Sequence, residues 1–296
     1  MILVAGFAGC GQPAAPGTTA PASSAATPIA VVASTNVYGS IASAIGGDAI
    51  TITSIIDDPD RDPHEYEADA QNQLALSKAQ VVIENGGGYD DFVDTMLQAA
   101  SAKATVINVA DLSGYDQKPA QGEFNEHMWY DFPTVAKLAD RLAADFTTAN
   151  PASAATFRAN ATTFTTKLTA LETAEAAIKK THTGAGVAIT EPVPVYLLDA
   201  AGLTNKTPAE FSKAIEDGTD VPPAVLKETV GLFDAKEVKL LAYNSQTSGP
   251  QTDSVLAAAR RNAIPIVPVT ETLPAGKDYL TWMQDNVAGV SQALGS

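Results

Sequence analysis

Residues 150–183 read NPASAATFRANATTFTTKLTALETAEAAIKKTHT. The pair Asn150-Pro151 stops one helical segment and starts another, because proline suits the first turn of a helix and not its interior. Behind it Phe157, Ala161, Phe164, Leu168, Leu171 and Ile178 step by three, four or seven residues, the spacing of one helical face. A stretch of about thirty residues rising about 1.5 Å each makes roughly 45 Å of helix, which exceeds one small domain. The apolar pattern stops after about three heptads and lacks flanking charges, so it predicts a helix laid along the body of the protein and not a coiled-coil seam.

On the N-terminal side, residues 29–33 are apolar and β-prone, 38–45 have helical spacing, and 50–56 alternate Ile with Thr like a strand, a β-α-β start. Residues 74–79 and 89–100 read as helices and 81–83 and 105–109 as strands, and Val135, Leu138, Leu142 and Phe146 recur at helical intervals. Gly184 to Gly186 closes the long helix. A second half follows, with strands at 187–190, 238–243 and 265–269 and helices at 193–201, 209–216, 224–233, 252–261 and 279–294. Such alternation predicts an α/β protein of two lobes, each a mainly parallel sheet flanked by helices. The expected divisions are 29–150 for the N-terminal lobe, 151–183 for the bridging helix and 184–296 for the C-terminal lobe.

A chain of 296 residues exceeds what one hydrophobic core usually serves. It carries 18 Lys plus Arg against 34 Asp plus Glu, a net charge of −16, which repels phosphate backbones and excludes nucleic acid as a partner. That field attracts cations, but screening over roughly 10 Å leaves tight binding to specific ligation. Cys10 is the single cysteine, so an internal disulfide and a thiolate metal cluster are both excluded, and any metal site must use nitrogen and oxygen. Residues 2–8 form an apolar run too short to span a bilayer. The following Phe7-Ala8-Gly9-Cys10 resembles the bacterial lipobox, in which the cysteine thiol receives a lipid anchor. Phe7 stands where Leu is usual and no Lys or Arg precedes the run, so translation is expected to start upstream of Met1. Residues 1–10 are thus expected to be a signal-peptide remnant, and 11–28, all Ala, Pro, Ser, Thr or Gly apart from Gln12, a flexible tether.

Three histidines occur. His64 lies in Asp62-Pro63-His64-Glu65-Tyr66-Glu67, after a strand and before a helix, where loops at the carboxyl ends of strands place ligands over a sheet. His127 lies in Glu126-His127-Met128-Trp129-Tyr130-Asp131, again before a helix. His182, beside Lys179 and Lys180, suits the C-terminal end of the long helix dipole. A lone loop histidine is more often a surface or hydrogen-bonded residue than a ligand. The triple glycine 86–88 invites a phosphate-loop reading, but no Gly-Lys-Ser/Thr follows and Asp90 and Asp91 do, so a tight turn is expected.

Both histidine motifs resemble those of the cluster A-I metal-binding lipoproteins of ABC importers. Asn85-Gly86-Gly87-Gly88-Tyr89 resembles that family's turn after the third strand, and Asn150-Pro151 with its long helix resembles the interdomain backbone helix. The resemblance implies one divalent metal ion held between the lobes by two residues from each. The implied ligands are His64 and His127, then Glu191 in Thr190-Glu191-Pro192-Val193, and Glu271 in Val269-Thr270-Glu271-Thr272-Leu273, where aspartate is usual. Asn244 stands where relatives often carry an acidic residue and is given no ligand role. Glu65, Glu67 and Asp131 compete as ligands or as groups that orient the imidazoles, and Glu191 could instead favour the first turn of a helix.

Two imidazoles and two carboxylates suit Mn²⁺, Zn²⁺ or Fe²⁺. Glutamate in the third position resembles the manganese-type members, and residues 112–124 lack the histidine-rich run of many zinc-type members, so Mn²⁺ is favoured slightly over Zn²⁺. The resemblance further implies a monomeric, extracytoplasmic, lipid-anchored protein, an ABC importer permease as partner, and no catalysis. Two other classes stay open: a mononuclear metallohydrolase with Glu65 as general base, and a surface adhesin using the same fold.

Overall fold

The computed structural model describes residues 1–2, 6, 27–58, 66, 69–100 and 102–295. The Val- and Ile-rich segment β1 (Ile29–Thr35) is buried along nearly its whole length, as a strand covered on both faces must be. It leads into α1 (Asn36–Gly46) and β2 (Ile50–Ile56), the β-α-β unit expected from the sequence. Then come α2 (Ala70–Lys78), β3 (Val81–Glu84), α3 (Phe92–Ala100), β4 (Thr105–Asn108), α4 (Val109–Ser113) and α5 (Phe132–Ala149). All pairings are parallel and the order is β2-β1-β3-β4.

The second sheet repeats that order with β5 (Gly186–Ile189), β6 (Thr204–Asn205), β7 (Leu241–Asn244) and β8 (Ile266–Val269) arranged as β6-β5-β7-β8, again all parallel. Its helices are α7 (Val195–Ala200), α8 (Ala209–Glu216), α9 (Pro223–Asp234), α10 (Pro250–Arg261) and α11 (Tyr279–Ala293). In a parallel sheet every strand ends at the same edge, so the loops beyond those ends form one ligand-bearing rim per lobe.

The long helix α6 (Ala154–His182) has 29 residues and ends on His182. Each of the six apolar residues picked out by spacing is buried, and Glu175 joins them on the same face. Near its start Phe157 meets Phe146 of α5 with ring centroids 5.6 Å apart, and Asn160 Nδ2 donates to Ile45 O at the end of α1 over 2.9 Å. Farther along, Phe164 stacks on Tyr279 of α11. One hydrophobic core therefore runs from the N-terminal sheet through α6 into the C-terminal sheet, with smaller clusters on the outer face of each lobe. The helix α11 fastens the lobes a second time: Tyr279 Oη donates to Trp129 O over 2.6 Å, and Tyr279 N donates to Ser40 Oγ over 3.0 Å.

Gly86, Gly87 and Gly88 have φ of 72, 68 and 97°, the left-handed region that favours glycine. The turn they make is the tight one expected, and the Asp90 carboxylate comes back to accept from Asn85 N and Gly86 N at 2.6 and 2.8 Å. Asp131 is engaged by its own helix and a neighbouring loop. Its carboxylate caps α5, accepting from Thr134 N over 3.1 Å, and receives the Tyr115 hydroxyl over 3.3 Å, which moves the helix start three residues ahead of the apolar series at Val135.

Candidate metal centre

His127 is fully buried and precedes the 3-10 turn Met128–Tyr130. Its Nδ1 lies 2.7 Å from Asn125 Oδ1. The same oxygen accepts from His127 N over 3.2 Å, while Asn125 Nδ2 donates to Pro192 O over 3.1 Å. These three contacts fix the asparagine amide with its oxygen toward the ring. Nδ1 therefore carries the hydrogen, and Nε2 presents its lone pair to the cleft. The ring is also wedged against Trp129, centroids 5.1 Å apart, and Tyr89, 6.1 Å.

Glu191 lies two residues beyond the end of β5 and Glu271 two residues beyond β8, and both are buried. Glu191 is well short of α7, so the first turn of a helix is not what places it. Asn244, the last residue of β7, stands between the two carboxylates: its Nδ2 donates to Glu191 Oε2 and, over 3.0 Å, to Glu271 Oε1. Asn244 Oδ1 accepts from Gln246 N over 3.1 Å, which holds the amide this way round. From the N-terminal lobe the Tyr89 hydroxyl donates to Glu271 Oε2 over 3.4 Å. Tyr89, which packs against His127, thus meets Glu271 of the other lobe, and Asn244 ties Glu271 to Glu191. His64 and Cys10 fall outside the described residues, as do Glu65 and Glu67.

A fourth group was not anticipated. Glu216, the last residue of α8, brings Oε1 to 3.8 Å from His127 Nε2, and its ligand atoms lie with those of Glu126 and His127 within 4.8 Å of one another. Burial pushes the Glu216 carboxyl up to about 9, and the negative neighbours Glu126, Glu271, Glu191 and Asp217 add to the rise. Two unit charges about 4 Å apart interact by about 4 kcal/mol at an effective dielectric of 20, so the crowding of carboxylates around one imidazole is costly unless a positive charge joins them. An imidazole with several carboxylates is a donor set for a borderline-to-hard divalent cation. Nothing in the residues around Glu216 flags it in the sequence; it ends an ordinary helix pattern.

Residues 31–293 match the family described as zinc-uptake complex component A, periplasmic. The manganese-binding lipoprotein MntA of Bacillus subtilis (strain 168) is 30% identical over 165 residues, covering 54% of this chain and 52% of that protein. The chain spans about half the length of the curated relatives it matches. Among solved structures, the SBP FpvC from Pseudomonas aeruginosa in complex with Mn²⁺ superposes with a TM-score of 0.71 at 22% identity, covering 91% of this chain and 99% of that one. A mutant of the laminin-binding adhesin Lmb from Streptococcus agalactiae superposes with a TM-score of 0.75 at 17% identity, covering 90% and 99%. At these identities the structural likeness bears on the fold alone.

Proposed function

This chain belongs to the periplasmic zinc-uptake complex component A family, and from that premise we propose that it captures one divalent transition-metal ion between its lobes and delivers it to the permease of an ABC importer. The observation that carries this reading is that Asn244 joins buried Glu191 to buried Glu271 while Tyr89, packed against the buried His127 ring, reaches Glu271 from the other lobe. In this reading His127 and His64 come from the N-terminal lobe, 29–150, and Glu191 and Glu271 from the C-terminal lobe, 184–296, with 151–183 as the bridge. Oxygen-rich ligation favours Mn²⁺, then Zn²⁺, with Fe²⁺ also compatible. The name of the Bacillus relative, a manganese-binding lipoprotein, supports the metal and the anchor alike.

The protein acts outside the cytoplasm as a monomer, held to the membrane by a lipid on Cys10, with residues 1–10 as the signal remnant and 11–28 as the tether. It is a carrier and not an enzyme. A hydrolytic metal needs an open position for water, whereas the carboxylates here crowd the cleft. The adhesin reading has the fold in its favour and no residue of this site.

The deciding experiment strips the full chain of metal and measures stoichiometry and competitive affinity for Mn²⁺, Zn²⁺ and Fe²⁺, beside His127→Ala and Glu191→Ala. One tight equivalent in the parent, lost in both variants, is expected. Absence of binding by the parent refutes the carrier reading.

A further inference from the structure

Resting on that reading, we propose that Glu216 is an additional ligand to the transported ion, and that the oxygen it contributes biases the cleft toward Mn²⁺ and away from Zn²⁺. Asn125 fixes His127 with Nε2 as an acceptor, and this acceptor faces Glu216 Oε1 at 3.8 Å. A carboxylate oxygen is an acceptor too. Two buried acceptors at that spacing leave room between them for one divalent cation that both could ligate.

Three further observations separate Glu216 from an ordinary buried acid. Its Oε1 is shielded from solvent and has no hydrogen-bond partner among the described residues. It sits at the C-terminal end of α8, where the helix dipole disfavours negative charge. The lysine one turn back gives it no counter-charge, because Lys213 Nζ is engaged by Glu123 and Asp217, each at 3.1 Å. Neither the helix end nor Lys213 answers the Glu216 carboxylate, which leaves Oε1 facing the cleft side of His127.

The consequence for selectivity follows from coordination number. Zn²⁺ is content with four tetrahedral ligands, whereas Mn²⁺ takes oxygen-rich, octahedral surroundings. Metal–ligand bonds of about 2.1 Å place neighbouring ligand atoms about 3 to 3.5 Å apart, so the 3.8 Å between Nε2 and Oε1 needs only a small approach. Beside the nitrogen of His127 and the oxygens of Glu191 and Glu271, Glu216 supplies one more oxygen, of little use to a four-coordinate zinc and a gain for manganese.

The test compares full-length wild type with Glu216→Gln, Glu216→Ala and Glu216→Asp by chelator competition for Mn²⁺ and Zn²⁺, together with thermal unfolding of each metal-free protein. We expect Glu216→Gln and Glu216→Ala to lose at least tenfold in Mn²⁺ affinity and less than threefold in Zn²⁺ affinity. Glu216→Asp should regain part of the difference, and metal-free Glu216→Gln should unfold at or above the wild-type temperature. An unchanged ratio of Mn²⁺ to Zn²⁺ affinity in Glu216→Gln and Glu216→Ala overturns the inference while leaving the carrier reading standing, most plainly if both variants are also less stable, as loss of a structural ion pair would make them. A wild type that binds neither metal overturns both.

Discussion

Asn244 donates through Nδ2 to Oε1 of Glu271 over 3.0 Å, and because the same nitrogen also reaches Glu191, one neutral amide holds two buried carboxylates together. It does locally, with partial charge, what a cation does with full charge. Replacing Asn244 by Asp converts that donor into another acid. Metal-free Asn244→Asp is expected to lose about 1–3 kcal/mol of stability and to regain more than the wild type does on adding Mn²⁺. Thermal denaturation with and without metal checks this; equal melting of the two metal-free proteins would count against the bridging role.

Asn125 acts on the other side of the cleft. Its Oδ1 sets the His127 tautomer, while its Nδ2 and its backbone oxygen grip the C-terminal lobe at Pro192 and Tyr196. Partners of this kind typically cost 10- to 100-fold in metal affinity when removed. Asn125→Ala should weaken binding by about that much with little loss of stability, and isothermal titration reads it directly. Wild-type affinity in the variant would show that His127 needs no such orientation.

Glu175 supplies a pH dependence remote from the cleft. Burial raises its carboxyl from 4.5 to about 8, with Glu172 and Asp131 adding to the effect. The folded protein thus holds this proton more tightly than the unfolded chain, so the contribution is fully present below about pH 4.5 and is lost as pH rises through about 8. Glu175→Gln should stabilise the protein by about 1–2 kcal/mol near pH 8.5 and hardly at all near pH 4.5. Urea denaturation at the two pH values would show no such divergence if Glu175 were well solvated.

The core that crosses α6 predicts one cooperative unfolding transition for both lobes. Leu168, buried at the middle of the helix, should cost about 2–5 kcal/mol when cut to Ala and should lower a single transition without splitting it. Two separate calorimetric transitions, in either protein, would mean that the lobes fold independently.

The long helix was legible because its signal is cumulative: Phe157, Ala161, Phe164, Leu168, Leu171 and Ile178 each repeat the same face, and all six are buried. Where that series skips from Leu171 to Ile178 the structure holds Glu175, a buried acid that no hydrophobic pattern reveals. The alternation of strands and helices was equally plain, but the two-residue strand β6 and the five-residue helix α4 are too short for any periodicity to register. In the candidate site, the burial of Glu191 and Glu271 just beyond strand ends follows from motifs that local sequence displays. Glu216 and the double donation of Asn244 depend on long-range closure of α8 and β7 onto the cleft, and no local spacing carries that information.

The identical strand order of the two sheets gives the molecule an approximate internal symmetry that its cleft does not share. The N-terminal rim offers imidazole nitrogen from His127, and the C-terminal rim offers carboxylate oxygen from Glu191 and Glu271. The two walls therefore differ in hardness, nitrogen on one side and oxygen on the other. A cation lying between them would meet a borderline donor on one wall and hard donors on the other, so the chemistry that governs its hold differs from wall to wall.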